Sequence, residues 1–192
     1  RHQAEHLARM AEAAQHWRLL EGYAVNVASP VCYAADVERE RHAPIIARLD
    51  ELLEAERAGA RVTLRSAAHA QDGEMRALIE AVHRDEVKWC AMLMRAIRSL
   101  QGTPSSRTGA FYDKAMAFEK LDERLAFLNR GQGWVVKKLR ELLPMVDDAS
   151  IRQGLTEMLQ AHEVNLDKVN SRLGLARPRA DAVPSQAGAR LE

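Results

Sequence analysis

The sequence predicts an all-α chain: an antiparallel four-helix bundle with an extra helix at its N-terminal end. Three observations carry this. Six prolines, at 30, 44, 104, 144, 178 and 184, divide the chain into long segments. Those segments are rich in Ala, Leu, Glu and Arg, and their apolar residues recur at steps of three and four rather than two. Four of them are of similar length, and tight, loose and tight connections join them in turn, as in a bundle.

The elements follow in order. Residues 1–28 read as an amphipathic helix with Leu7, Met10, Ala14 and Trp17 on one stripe. Residues 29–43, around Ser29-Pro30-Val31-Cys32, read as an irregular connection. The bundle is expected over 44–174. Its first helix starts at Pro44, a good first-turn residue, and reaches about residue 70. The second starts after Asp72, a suitable N-cap, and reaches about residue 100. "GTPSSRTG" at 102–109 is a loop by composition. The third helix covers about 111–143 and stops near Pro144. The fourth starts after Asp148 or Ser150 and ends at Gly174, a natural terminating residue. Residues 175–192, with two prolines and no stripe, read as a disordered tail, and the closing Leu191-Glu192 is set aside.

Composition narrows the function classes. With 29% charged residues, 47% hydrophobic residues and a net charge of +1, no nucleic-acid or membrane partner is expected. No apolar run approaches the length of a membrane span, and residues 1–28 carry no secretory leader pattern. Cys32 and Cys90 make neither a disulfide framework nor a zinc motif, so the expected location is cytoplasmic.

The inward stripes carry the chemistry. They read Leu49, Leu52, Glu56, Gly59 on the first helix and Ile79, Val82, Glu86, Trp89, Leu93 on the second. The third gives Leu125, Leu128, Gln132, Val135, and the fourth Leu155, Met158, His162, Asn165. Each apolar stripe is interrupted once near its middle, at Glu56, Glu86, Gln132 or His162. Glu56 and Glu86 stand about fifteen residues either side of their shared turn, and Gln132 and His162 do the same about theirs, so each antiparallel pair is level. One polar layer should therefore cross the core. A buried unpaired carboxylate takes up a proton or finds a partner, and two carboxylates with an imidazole suit iron, manganese or zinc. The predicted metal donors are Glu56, Glu86 and His162, with Gln132 and Asn165 as weak ligands or supports. Gly131 and Gly133 in "NRGQGW" flank Gln132 at this height. They are expected either to clear a pocket, with Trp89 as the bulky opposing side chain, or simply to ease packing. His83 reads as a solvated or interhelical side chain. Glu119, Asp122 and Glu123 read as a solvated face with Lys120 and Arg124, and Cys90 as a small buried hydrophobe.

These residues resemble the ferritin-like superfamily, particularly bacterioferritins and rubrerythrins. "LDELLEAERAGA" at 49–60 is similar to the family's first helix and maps a metal-binding Glu onto Glu56. "RDEVKWCAML" resembles the second helix, whose Glu-x-x-His maps onto Glu86 and Trp89. "MLQAHEVNLDKV" resembles the fourth, where the second Glu-x-x-His falls on His162 and Asn165. A further family Glu on the third helix falls on Gln132, whereas Glu119 and Glu123 lie roughly 13–20 Å away along the helix. Only two of the six implied ligands match in kind. "ELLEAERAGAR" and "FLNRGQGWV" also resemble an uncharacterised bacterial branch of the superfamily.

The resemblance implies a metal-binding protein with a reduced mono- or dinuclear site, an iron or manganese cofactor ahead of zinc, and an oxidoreductase activity on an unspecified small molecule. The competing reading is a non-catalytic bundle that has lost its ancestral site and serves interaction or assembly. A third is a metal-free pocket for an organic ligand. The spare N-terminal helix is compatible with a homodimer.

Overall fold

The structure is a computed structural model that describes residues 30–175. Among these residues every regular element is helical. The elements are α1 (Pro30–Ala67), α2 (Gly73–Ser99), a short α3 (Phe111–Met116), α4 (Leu121–Leu142), a 3-10 turn (Leu143–Met145) and α5 (Ala149–Leu173). The expected all-α bundle of long helices is present. The helix expected over 1–28 and the tail expected over 175–192 lie outside the described residues, save Leu175. No described helix is long and apolar enough to cross a membrane.

Helix ends follow local chemistry. Asp72 accepts from the Met75 amide at 2.7 Å and starts α2, and Asp148 accepts from the Ile151 amide at 2.8 Å and starts α5. Gly174 ends α5 with φ 63°, a left-handed conformation that suits glycine.

Three expectations need correction. Residues 30–43 are not an irregular connection: α1 begins at Pro30 and Pro44 lies inside it. The chain nevertheless divides into two compact units at Arg41/His42, just before that proline. The third bundle helix is not continuous from 111, because residues 117–120 break it into α3 and α4. Arg124 is not part of a solvated face. It is 5% exposed, and its Nε and one terminal nitrogen donate to the Phe118 carbonyl at 3.1 and 2.8 Å, which closes the break. Arg152 does the same for Val146 at the turn before α5, at 2.9 and 2.7 Å. An exposed stretch of chain thus ends on an arginine fork rather than on helical hydrogen bonds.

The core lies in two parts. One contains Leu49, Leu52, Trp89, Leu93, Leu139, Leu155 and Met158. The other contains Val62, Met75, Ile79, Leu125 and Leu128. In sequence, Glu56, Glu86, Gln132 and His162 fall between the two sets on their respective helices. Asp148→Ala removes one cap without touching either part, and should lower stability by about 1 kcal/mol. A reduced urea midpoint with an unchanged denaturant slope is the expected result.

Candidate functional site

The four polar interruptions come together as one buried layer. Glu56 is 0% exposed, His162 1%, Glu86 3% and Gln132 5%. His162 Nε2 lies 3.1 Å from Glu56 Oε1, joining α1 to α5. Gln132 Nε2 donates to Glu86 Oε1, joining α4 to α2. The Glu56 charge acts on the Glu86 carboxyl, so the two pairs are coupled electrostatically.

The proton positions follow from partners. His162 Nδ1 is 3.0 Å from the Met158 carbonyl, which can only accept, so Nδ1 carries hydrogen. The neutral ring then offers a lone pair at Nε2, and the proton in the Nε2–Glu56 contact belongs to Glu56. Electrostatics agree. Burial, ahead of the influence of Asp85, raises the Glu56 carboxyl from 4.5 to about 8. Burial and then the Glu56 charge raise Glu86 well above its ordinary range. Burial lowers His162. Glu56 Oε2 and Gln132 Oε1 remain buried with no hydrogen-bond partner.

Gly59, one turn beyond Glu56, is what lets α2 come so close. A Cβ there would stand 2.4 Å from Glu86 Oε2 and 2.6 Å from its Cδ, so the Glu86 carboxyl occupies the space of the missing side chain. Beside the layer is a cavity of about 540 Å³ whose lining includes Glu56, Gly59, Glu86, Gly131 and Gln132.

The "NRGQGW" expectation is corrected in its details. Gly131 does line the cavity, but the bulky group seated against it is Phe111, whose Cζ lies 2.7 Å from where a Cβ would be. Trp89 is instead a core residue, 2% exposed, with the Lys88 ammonium 4.1 Å from its ring centre. Gly133 is outside the cavity lining, and a Cβ there meets nothing within 4 Å. Asn165 is buried but does not join the layer; it donates to Asp85 Oδ2 at 2.9 Å. His83 binds across helices, its Nδ1 3.0 Å from the Ala60 carbonyl and 3.1 Å from Thr63 Oγ1. Cys90 is half-buried, and burial pushes its thiol up to about 12, beyond useful nucleophilicity. Sequence reasoning missed Asp85, whose charge acts on Glu56, Glu86 and His162 alike; adjacency to Glu86 was the available signal. It also missed Phe111, which no helical spacing connects to Gly131.

The donor set limits what the layer could hold. Two ions do not fit: Trp89 cannot coordinate and Asn165 is committed to Asp85. A single divalent ion does fit the chemistry. Two carboxylates would neutralise it, Glu56 Oε2 has no competing partner, and the Met158 carbonyl orients the imidazole. Among the described residues, no three His, Cys, Asp or Glu side chains are gathered so as to hold a metal ion, and Glu56 and His162 bond each other.

The chain belongs to the family described as a domain of unknown function, DUF6306, which it matches over residues 43–171. It is similar in structure to a protein from Xanthomonas campestris pv. campestris, with a TM-score of 0.62 and 12% identity over 70% of this chain and 91% of that one. It is also similar to a ferritin-like, diiron-carboxylate protein from Bacillus anthracis, with a TM-score of 0.61 and 16% identity over 69% of this chain and 97% of that one. At these identities the likeness is one of fold, and the fold is ferritin-like. No curated protein is detectably similar in sequence.

Two outcomes test the layer. Gly→Ala inside a helix ordinarily stabilises by about 1 kcal/mol. Gly133→Ala should follow that rule and raise the melting temperature, whereas Gly59→Ala should lower it by dislodging Glu86. The second outcome is a pH dependence. The folded state holds a proton on Glu56 up to about 8, while the unfolded chain releases it near 4.5. That stabilisation is complete below 4.5 and is lost as pH rises through 8. His162 has the opposite effect, since only the unfolded chain protonates it readily below 6.5. From 6.5 to 8 the carboxyl loss acts unopposed, so the melting temperature of metal-free protein should fall across that window, and less steeply in Glu56→Gln.

Proposed function

We propose that this protein binds one divalent metal ion, iron or manganese, at Glu56, Glu86 and His162. The observation that carries the reading is the Glu56–His162 junction. There a ring nitrogen presenting a lone pair meets a buried carboxyl whose second oxygen has no partner. In a hydrophobic core such a junction holds a proton or a metal, and both exchange at the same atoms.

The remaining residues have supporting roles. The Met158 carbonyl keeps His162 in the tautomer that leaves Nε2 free to ligate. Gln132 donates to Glu86 and fixes its orientation against Gly59, so it supports the site rather than ligating. Asp85, held by Asn165, adds negative charge nearby and favours a cation in the layer. An ion bound there supplies Lewis acidity and, for iron or manganese, a redox centre beside the cavity. Oxidoreductase chemistry on a small molecule entering that cavity is the activity consistent with this arrangement.

One observation favours a second reading, the non-catalytic bundle: the three donors already satisfy one another in part. The two readings separate on untagged protein after mild chelation. The metal reading expects near-stoichiometric uptake of Mn²⁺ or Fe²⁺ by elemental mass spectrometry. At a hundredfold excess over Kd it also expects a melting temperature about 5–10 °C higher. Glu56→Gln, which keeps the volume and removes the charge, should abolish both. Folded wild-type protein that takes up no metal and shows no shift would leave the assembly reading standing.

A further inference from the structure

The cavity beside the layer has features that a metal ion alone would not use. Its volume, about 540 Å³, falls within the range of small-molecule sites. Much of its wall is apolar and aromatic, from Phe111, Phe127, Leu128, Trp134 and Val135. Phe111 and Phe127 stack with centroids 4.8 Å apart and planes 21° apart, an arrangement that depends on Gly131 having no side chain. Aromatic walls favour a flat aromatic guest over a flexible chain, through stacked or edge contacts.

The buried polar lining is one-sided. Gln132 commits its Nε2 to Glu86, which leaves its carbonyl Oε1 buried without a donor. Glu56 Oε2 is in the same state. Both open positions are acceptors. The basic residues of the lining, Lys114 and Arg130, are exposed, and the Arg130 guanidinium lies over the Phe127 ring, 5.2 Å from its centre. A carboxylate or phosphate head would therefore meet only acceptors at the buried end, and a donor would meet two unanswered ones.

We propose that this cavity binds a small aromatic molecule with a hydrogen-bond-donating head, of the phenol or arylamine class. Its ring lies against Phe127 and Trp134, and its head donates to Gln132 Oε1. The proposal goes beyond the metal reading and does not depend on it, because Gln132 Oε1 is not one of the three metal donors.

The test is calorimetric titration of the chelated protein with phenol, with toluene as the analogue lacking the donor and benzoate as the anionic one. Phenol should bind at least about tenfold more tightly than toluene, because toluene leaves the buried acceptor unanswered, and benzoate should bind weakest. Gln132→Leu should bring phenol down to the toluene level while toluene binding persists. Ala55→Phe fills the cavity from α1 without touching the layer, and should abolish binding of both while helical circular dichroism is kept. Failure of phenol to bind overturns the proposal. So does equal binding of phenol and toluene, a preference for benzoate, or unchanged binding in Ala55→Phe. If Gln132→Leu does not fold, the three-ligand series and Ala55→Phe decide. Repeating the titration with Mn²⁺ separates the two readings: loss of metal uptake with phenol selectivity intact refutes only the metal, and the converse refutes only the ligand.

Discussion

Two carboxyl groups buried at the centre of the core are the constraint on which the rest of this structure depends. Each would cost several kcal/mol as an isolated charge, so the fold must supply a proton, a donor or a cation to each. It supplies all that four helices can bring to one level. Glu56 on α1 meets His162 on α5, Glu86 on α2 meets Gln132 on α4, and the charge of one carboxyl acts on the other. A helix sliding by one turn would separate these partners, so the layer specifies register, whereas an all-leucine core would tolerate slippage. The same demand explains Gly59. A residue that is poor for helix propensity is kept in the middle of α1, because only hydrogen at that position leaves room for the Glu86 carboxyl.

The connection between α2 and α4 turns the layer into a site with space beside it. Residues 102–109 do not hang free. Arg57 donates to the carbonyls of Ser105 and Arg107, Asp50 accepts from the Ser105 amide at 2.7 Å, and Glu54 accepts from Ser105 Oγ at 2.6 Å. Arg107 closes the group on Glu54 at 3.0 Å. Its partners pull the Glu54 carboxyl below the usual range, Ser105 most strongly. This polar strap is anchored along α1 within two turns of Glu56, and it delivers Gly109, Ala110 and Phe111 to the cavity lining. Phe111 then settles on Gly131. The glycine in "NRGQGW" serves a residue twenty positions upstream, and the break at 117–120 is what frees α3 to bring it there.

Most of the bundle was legible because its determinants are local or periodic. Asp72, Asp148 and Gly174 announce their helix ends, and the polar interruptions announce a layer once their distances from the turns are compared. What was not legible depends on side chains distant in sequence. Pro44 reads as a helix start because proline favours the first turn, yet α1 runs through it, and the chain instead divides just before it. Arg124 reads as surface because Glu119, Asp122 and Glu123 surround it, but the open Phe118 carbonyl draws it inward. Trp89 reads most simply as a core residue and is one, but sequence alone could not say that Asn165 would turn to Asp85. In the layer itself, the four polar residues could be read from spacing. The cradle at Gly59 and the wall at Phe111 could not, since neither glycine states what it makes room for.

The composition of the layer limits the charge it can balance. A two-ion site needs enough carboxylates to balance its charge, and this layer offers two, Glu56 and Glu86. Trp89 fills volume at the boundary of the larger apolar cluster and excludes water from that side. Gln132 is a neutral carboxamide whose Nε2 donates to Glu86 while its Oε1 stays buried without a partner. Two carboxylates can neutralise a single divalent ion or hold protons between them, and in either state the layer carries little net charge. That near-neutrality allows a polar layer to persist between two apolar clusters, and it leaves the open acceptors as the strongest remaining polar demand on whatever enters the cavity.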